Sequence, residues 1–245
     1  MNRWVIYTAL FGDYDDLARP VEKFEGFDFV CFTDQTSLQS DLWEIKIIEC
    51  TERSPVLMNR RIKMMPHQYL PDYEVSIYID SNLKLLKDLS GIVEKDLSER
   101  NFLVPRHLSR DCLYEEAREC VIFQKSDYSA TIKQLNDYRT VGFPTHFGLS
   151  ENGILIRKHH DIEIKSLMEQ WWEEFQNGSG RDQLSLPFVF WKNELELPLI
   201  GINSRDQVYF SNQPHRKEEI GTIERLTLSF KIRMRRLIYS FYPFK

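Results

Sequence analysis

An α/β fold, with a mostly parallel central sheet flanked by helices, is what this sequence predicts, on three observations. Strand-like runs alternate with helix-like ones along the chain, the pattern of parallel strands joined by helical crossovers. The run Val75, Ile77, Tyr78, Ile79 is nearly unbroken in apolar character, which is the composition of a strand covered on both faces. At 245 residues the chain suits one large domain and is short for two.

The elements follow in order. Trp4–Leu10 reads as the first strand and runs straight into Gly12-Asp13; Phe27–Thr33 reads as the second and ends in Asp34. Trp43–Cys50 is a third strand, and Val56–Met65 a helix that Pro66 stops by removing a backbone donor. Val75–Asp80 is followed by Ser81, Asn82 and a second apolar run to Leu89. Phe102–Pro105 and Gly153–Arg157 are further strands; Leu113–Lys125, Ser129–Tyr138 and Ile162–Phe175 are helices. In the last of these, Trp171 to Phe175 accompany Leu167 and Met168 and read as core. Gly178-Ser179-Gly180 reads as a flexible loop entering a short helix broken near Pro187. We expect one domain over residues 1–221 and a separate amphipathic helix over 222–245.

Composition narrows the function. A formal net charge of −5 gives no sign of a nucleic-acid partner. Cys31, Cys50, Cys112 and Cys120 form no CxxC pair and no zinc-type spacing, so reduced and mostly buried thiols are expected. The N-terminal apolar run is too short for a signal peptide and no stretch has the length of a membrane span, so a cytoplasmic location is expected.

A carboxylate at the end of a buried strand has two readings. Asp80-Ser81-Asn82 is good turn chemistry. The carboxyl edge of an open α/β sheet is also where ligands bind, and Asp34 shares that edge with Asp80 if the strands are parallel. Carboxylates there can take a ribose hydroxyl or a base N–H. Gly12, between the first strand and three clustered acids, lets backbone approach a ligand closely. Arg60 and Lys63, three apart on one helix, share a face and could reach phosphates. His159 and His160 read as turn residues near the site whose side chains point apart.

The segments YTALFGDYD, CFTD, NRRIKMMPHQYLP, YIDSNLKL, VPRHLSRDCLYEEA, LSENGILIRKH and GSGRDQLSLPF, collinear over residues 4–190, closely resemble the family known as domain of unknown function 616. That resemblance implies a GT-A-like glycosyltransferase that uses a nucleotide-sugar donor, UDP-linked, in surface polysaccharide or lipopolysaccharide assembly. The implied donor contacts are Thr8, Phe11, Gly12, Asp13, Tyr14, Asp34, Arg60, Lys63, Asp80, Ser81 and Asn82. Acceptor contacts fall on Arg106, His107, Glu115, Glu151 and Asn152, and catalytic roles on Asp182 and Gln183. A wider likeness to retaining transferases puts an aspartate-any-aspartate metal motif on Asp80, but this chain has Asn82 where the second acid belongs. Mn²⁺ or Mg²⁺ held by Asp80, Asn82 and His215 and a metal-independent site therefore stand side by side, and the stereochemistry stays open.

The rivals are a non-catalytic sugar-binding module on the same fold and a phosphohydrolase using Asp80, the latter weakened by Asn82. In the C-terminal stretch Leu226, Phe230, Met234, Leu237, Ile238 and Phe241 make one helical stripe, with Arg225, Lys231, Arg235 and Arg236 largely off it. Such a helix either docks on the core or lies in an anionic membrane interface, which would suit a lipid-linked glycan acceptor.

Overall fold

The computed structural model describes residues 4–214 and 222–240. The chain divides into two compact units, each assembled from three stretches. Met1–Arg106, Glu151–Trp172 and Pro198–Arg216 form the first; His107–Ser150, Glu173–Leu197 and Lys217–Lys245 form the second.

Among its described residues the first unit carries nine strands: β1 (Trp4–Leu10), β2 (Phe27–Thr33), β3 (Glu44–Ile47), β4 (Val75–Ile79), β5 (Leu83–Leu85), β6 (Phe102–Pro105), β7 (Ile154–Arg157), β8 (Leu199–Ile200) and β9 (Phe210–Asn212). Seven of them form one sheet in the order β3-β2-β1-β4-β7-β6-β8. β1 pairs in parallel with both β2 and β4, and β2 with β3; β7 alone runs against its neighbours β4 and β6. The expectation of a mostly parallel sheet flanked by helices therefore holds. All five residues of β4 are buried, as its composition predicts. Ile6, Ile77, Ile156, Leu103 and Leu97 meet in a single core, where each fully buried aliphatic side chain contributes about 1.5–3 kcal/mol.

Helix α1 (Pro55–Met64) follows from its ends. Ser54 caps it by accepting the Leu57 amide, Pro55 occupies the first turn where no amide donor is needed, and Pro66 prevents continuation. Its last carbonyls have no partner within the helix. Arg157, at the end of β7 and wholly buried, donates to the Lys63 carbonyl and to the Tyr7 hydroxyl, and Tyr7 donates to the same carbonyl at 3.1 Å. A cation at a helix C-terminus also complements the dipole, so Arg157 fastens the end of α1 to the sheet.

Elements not foreseen are α2 (Ser90–Glu99), the strand β8 and the antiparallel pair β5–β9. Two expectations about histidines are corrected. His159 and His160 both approach the Leu70 carbonyl, at 3.0 and 3.2 Å, with ring centroids 4.3 Å apart. They do not diverge because they follow the last strand residue in a turn. They also lie away from Asp80, because β7 runs in reverse and its end falls at the opposite edge of the sheet from the end of β4.

The second unit packs α3 (Leu113–Ile122), α4 (Tyr128–Thr140), α6 (Leu186–Lys192) and α7 (Thr222–Ser240) around Tyr114, Leu135, Tyr138, Phe143, Leu184 and Phe188. The Tyr138 and Phe188 rings stack with centroids 3.8 Å apart. Helix α5 (Ile162–Asn177) passes from the first unit into the second; Trp171 is wholly buried, as expected of a core residue. The four cysteines are unbridged, and burial pushes the Cys31 thiol up to about 12.

Candidate functional site

The carboxyl edge of β2, β1 and β4 gathers the first unit's chemistry. Asp80 leaves β4 with its amide donating to the Gly153 carbonyl at 2.9 Å. Its Oδ1 accepts the Tyr78 hydroxyl at 2.9 Å and faces the Lys63 ammonium at 3.7 Å. Lys63 lies over the Tyr78 ring, 5.1 Å from its centroid, with only 2% of its side chain exposed, while Asp80 keeps 37%. The cation is thus built into the floor and the carboxylate remains open to a ligand. Burial is the main cause that raises the Tyr78 phenol well above its ordinary range, with the Asp80 charge adding to it and Arg60 opposing. Tyr78 therefore stays protonated and donates. Arg60, one turn before Lys63, acts on the same group.

Around this centre the first loop is fixed by side chains. Asn59 accepts the Phe11 amide at 3.1 Å and Asp34 accepts the Gly12 amide at 3.0 Å. Gly12 has φ +71°, and a Cβ there would stand 3.1 Å from Pro55. Asp34 thus shapes the loop, the turn role that the sequence left open. Thr8 is wholly enclosed at mid-strand, and its hydroxyl has no hydrogen-bond partner among the described residues. Asp13 is exposed and Tyr14 is 49% exposed on the loop. Ser81 is buried, its carbonyl accepting the Ala18 amide at 2.7 Å. Asn82 gives its amide group to Asn212 Oδ1 at 2.9 Å and to the Gln213 carbonyl at 3.1 Å, so it reinforces the pairing of β9 with β5. Glu151 accepts the Ser204 hydroxyl at 3.0 Å, Asn152 is buried, and Arg106 is exposed at the end of β6.

In the second unit, His107 Nδ1 accepts the Arg110 amide at 3.1 Å, which puts the ring proton on Nε2, 3.6 Å from Glu116. Glu116 is buried and also takes Arg110 at 2.6 Å and Cys120 at 3.4 Å. Glu115, the acid expected at an acceptor, lies exposed on α3. Asp182 is buried at the start of a single 3-10 turn and accepts the Gln183 amide at 3.1 Å. Gln183 donates to the Ser150 carbonyl at 3.2 Å. The loop before them is tied to α4 through Gln134. Gln134 accepts the Ser179 amide at 2.9 Å, and a Cβ at Gly178 would lie 2.7 Å from the Gln134 amide nitrogen. Gly178 is there for close approach.

Residues 1–209 match the family model described as TOD1/MUCI70, glycosyltransferase-like domain. The chain belongs to that family. A curated relative in the TOD1/MUCI70 group, the probable hexosyltransferase MUCI70 of Arabidopsis thaliana, is 24% identical over 214 residues. The match covers 76% of this chain and 36% of that protein, so the chain spans about a third of its relative's length. A solved apo structure of WbbM, a bifunctional glycosyltransferase, superposes with a TM-score of 0.49 at 11% identity, over 96% of this chain and 44% of that one.

For a TOD1/MUCI70 domain, the fit of a divalent cation can be judged from the donor set. Asp80 already faces Lys63 and Tyr78, Asn82 has turned its amide group to Asn212, and His215 lies outside the described residues. Among the described residues no cluster of His, Cys, Asp and Glu could hold a metal ion. The described residues do not fit one. Sequence reasoning had missed Tyr78, Asn59, Gly153, Asn212 and Arg157 as site residues. Asn59 carried a usable signal, since it stands four before Lys63 and shares its helix face. The others depend on strand direction and register, which no local pattern states.

Proposed function

We propose that this glycosyltransferase-like domain transfers a sugar from a UDP-linked donor to a glycan or lipid-linked glycan acceptor, in surface polysaccharide or lipopolysaccharide assembly at the cytoplasmic face. One observation supports the reading most. At the ligand-binding edge an open carboxylate, Asp80, stands on a buried ammonium, Lys63, with Arg60 beside them.

Transfer leaves a nucleoside diphosphate, and the site must stabilise charge as it grows on that leaving group. Arg60 offers charge-assisted hydrogen bonds to phosphate. Lys63 balances Asp80 from below, so the carboxylate does not set its full charge against a phosphate held by Arg60. Asp80 then accepts a ribose or sugar hydroxyl through its open oxygen, while the Asp34 and Asn59 contacts keep the first loop from closing on the space. Metal-independent donor binding belongs to this proposal. Arg106 and Glu151 are kept as acceptor contacts, and Asp182 and Gln183 as contributors to transfer, by resemblance.

Calorimetry with UDP tests it, in EDTA and then in Mn²⁺, on the wild type and on Asp80→Ala. Binding in both buffers that Asp80→Ala abolishes is the expected result; binding only with Mn²⁺ rejects the metal-free version, and no nucleotide binding rejects the donor site. Slow release of UDP from a UDP-sugar without acceptor separates a transferase from a sugar-binding module, which would bind and not hydrolyse.

A further inference from the structure

Leu226 and Phe241 lie outside the residues whose side chains are described; over the rest of its apolar stripe the C-terminal helix does not face the protein. Helix α7 docks on α3 and α4 through its other face. Arg235 donates to the Ile122 carbonyl at 3.3 Å, Arg236 pairs with Glu119 at 3.1 Å, and Tyr239 stacks on Tyr128 with centroids 5.5 Å apart. Arg235 thereby satisfies a terminal carbonyl of α3. The stripe faces away: Phe230 is 66% exposed, Met234 43%, Leu237 59% and Ile238 50%. Four large apolar side chains at spacings of three and four form one surface, and a contiguous exposed patch of that kind marks an interaction site. The alternative set by the sequence, docked or interfacial, therefore dissolves, since the helix is docked and still offers its apolar side.

The charges say what covers it. At about 100° per residue, Lys231 falls on one border of the stripe and Arg233 on the other. Both are exposed. No acid occurs from Thr227 to Ser240, in a chain whose net charge is −5. A second copy of the chain laid on the stripe would bring these basic borders against each other with no carboxylate between Thr227 and Ser240 to pair them. Phospholipid suits the surface better: apolar side chains enter the acyl boundary while the long stems of Lys231 and Arg233 reach back to anionic headgroups. Among the described residues no helix is long and apolar enough to cross a membrane, so contact is by this face.

We infer that the outward stripe of α7, bordered by Lys231 and Arg233, docks the chain on an anionic phospholipid surface. This goes beyond the transfer reading and does not depend on it. Co-sedimentation of the full chain with vesicles of phosphatidylcholine, alone and with about one-third phosphatidylglycerol, tests it directly. The expected result is binding to the anionic vesicles only, and release when salt rises from about 0.1 to 0.5 M and shortens the screening length. Phe230→Ser with Leu237→Ser should weaken partition at least about tenfold. Lys231→Gln and Arg233→Gln should each weaken it about fivefold. All four side chains are exposed, so melting temperatures should match the wild type. Full recovery in the supernatant with anionic vesicles overturns the inference, as does equal binding to neutral ones. A concentration-dependent dimer in sedimentation velocity, abolished by the Phe230 and Leu237 substitutions, overturns it in favour of a second copy.

Discussion

Asp80 is oriented by neighbours that leave little room. Tyr78 and Lys63 hold one carboxylate oxygen, and the other stands where a Cβ on Gly153 would come within 3.0 Å. Gly153→Ala should therefore turn the carboxylate, costing about 1–3 kcal/mol through overpacking and lowering UDP affinity. Urea midpoints and calorimetry together check this; unchanged affinity in a destabilised variant would separate Gly153 from donor binding. Lys63→Met, which keeps the stem but removes the charge beneath Asp80, should weaken UDP binding about tenfold in EDTA if the ammonium replaces a metal ion. An unaltered Kd would remove Lys63 from the donor site. Asp80, Arg60, Lys63 and Gly12 were legible because a strand end, a helix face and a glycine are local patterns. Gly153 was not, because its nearness to Asp80 exists only once β7 runs in reverse.

At the scale of elements, strands were read well where apolar runs met clear punctuation: β1, β2 and β6 fall where the sequence places them. Helix α2 was missed because SGIVEKDLSE offers a thin apolar face, with only Val93 and Leu97 buried. β8 and β9 have two and three residues, too few to show a period. The cap of α1 was present in the sequence as Ser54-Pro55, and Ser54→Ala should cost about 1 kcal/mol in a denaturant titration. Arg157 has larger consequences for the same helix. Arg157→Met would strip a buried donor from the Tyr7 hydroxyl oxygen and leave the Lys63 carbonyl to Tyr7 alone, at about 1–3 kcal/mol in all. Lysine should restore little of that loss, since an ammonium is more strongly hydrated than a guanidinium and so costs more to bury, and it has no second nitrogen for the Met168 sulfur that Arg157 also meets. A urea midpoint for Arg157→Lys equal to the wild type would contradict this account.

For the molecule as a whole, acid is the condition to probe. Burial pulls the His159 imidazole down to about 3 and lowers His67 as well, so both stay neutral in the folded chain where the unfolded chain binds protons. Stability contributed by these neutral rings is intact above pH about 6.5 and is lost as pH falls toward 3, because protons then favour the unfolded state. His159→Gln, which keeps a donor for the Leu70 carbonyl, should flatten the fall in melting temperature between pH 6.5 and 4.5; an identical slope would place the acid sensitivity elsewhere. The two-unit organisation was the least legible feature of all, since each unit is assembled from stretches far apart in the chain and no local pattern states which of them pack together. The bond from Asn82 to Asn212 joins positions 130 residues apart. On a ribosome adding about 5–20 residues per second, that distance is roughly ten seconds of translation. A nascent chain thus carries β4, Asp80 and β5 long before β9 emerges to pair with β5, and a message cut short in that interval yields a protein with the aspartate in place and the lock beside it missing.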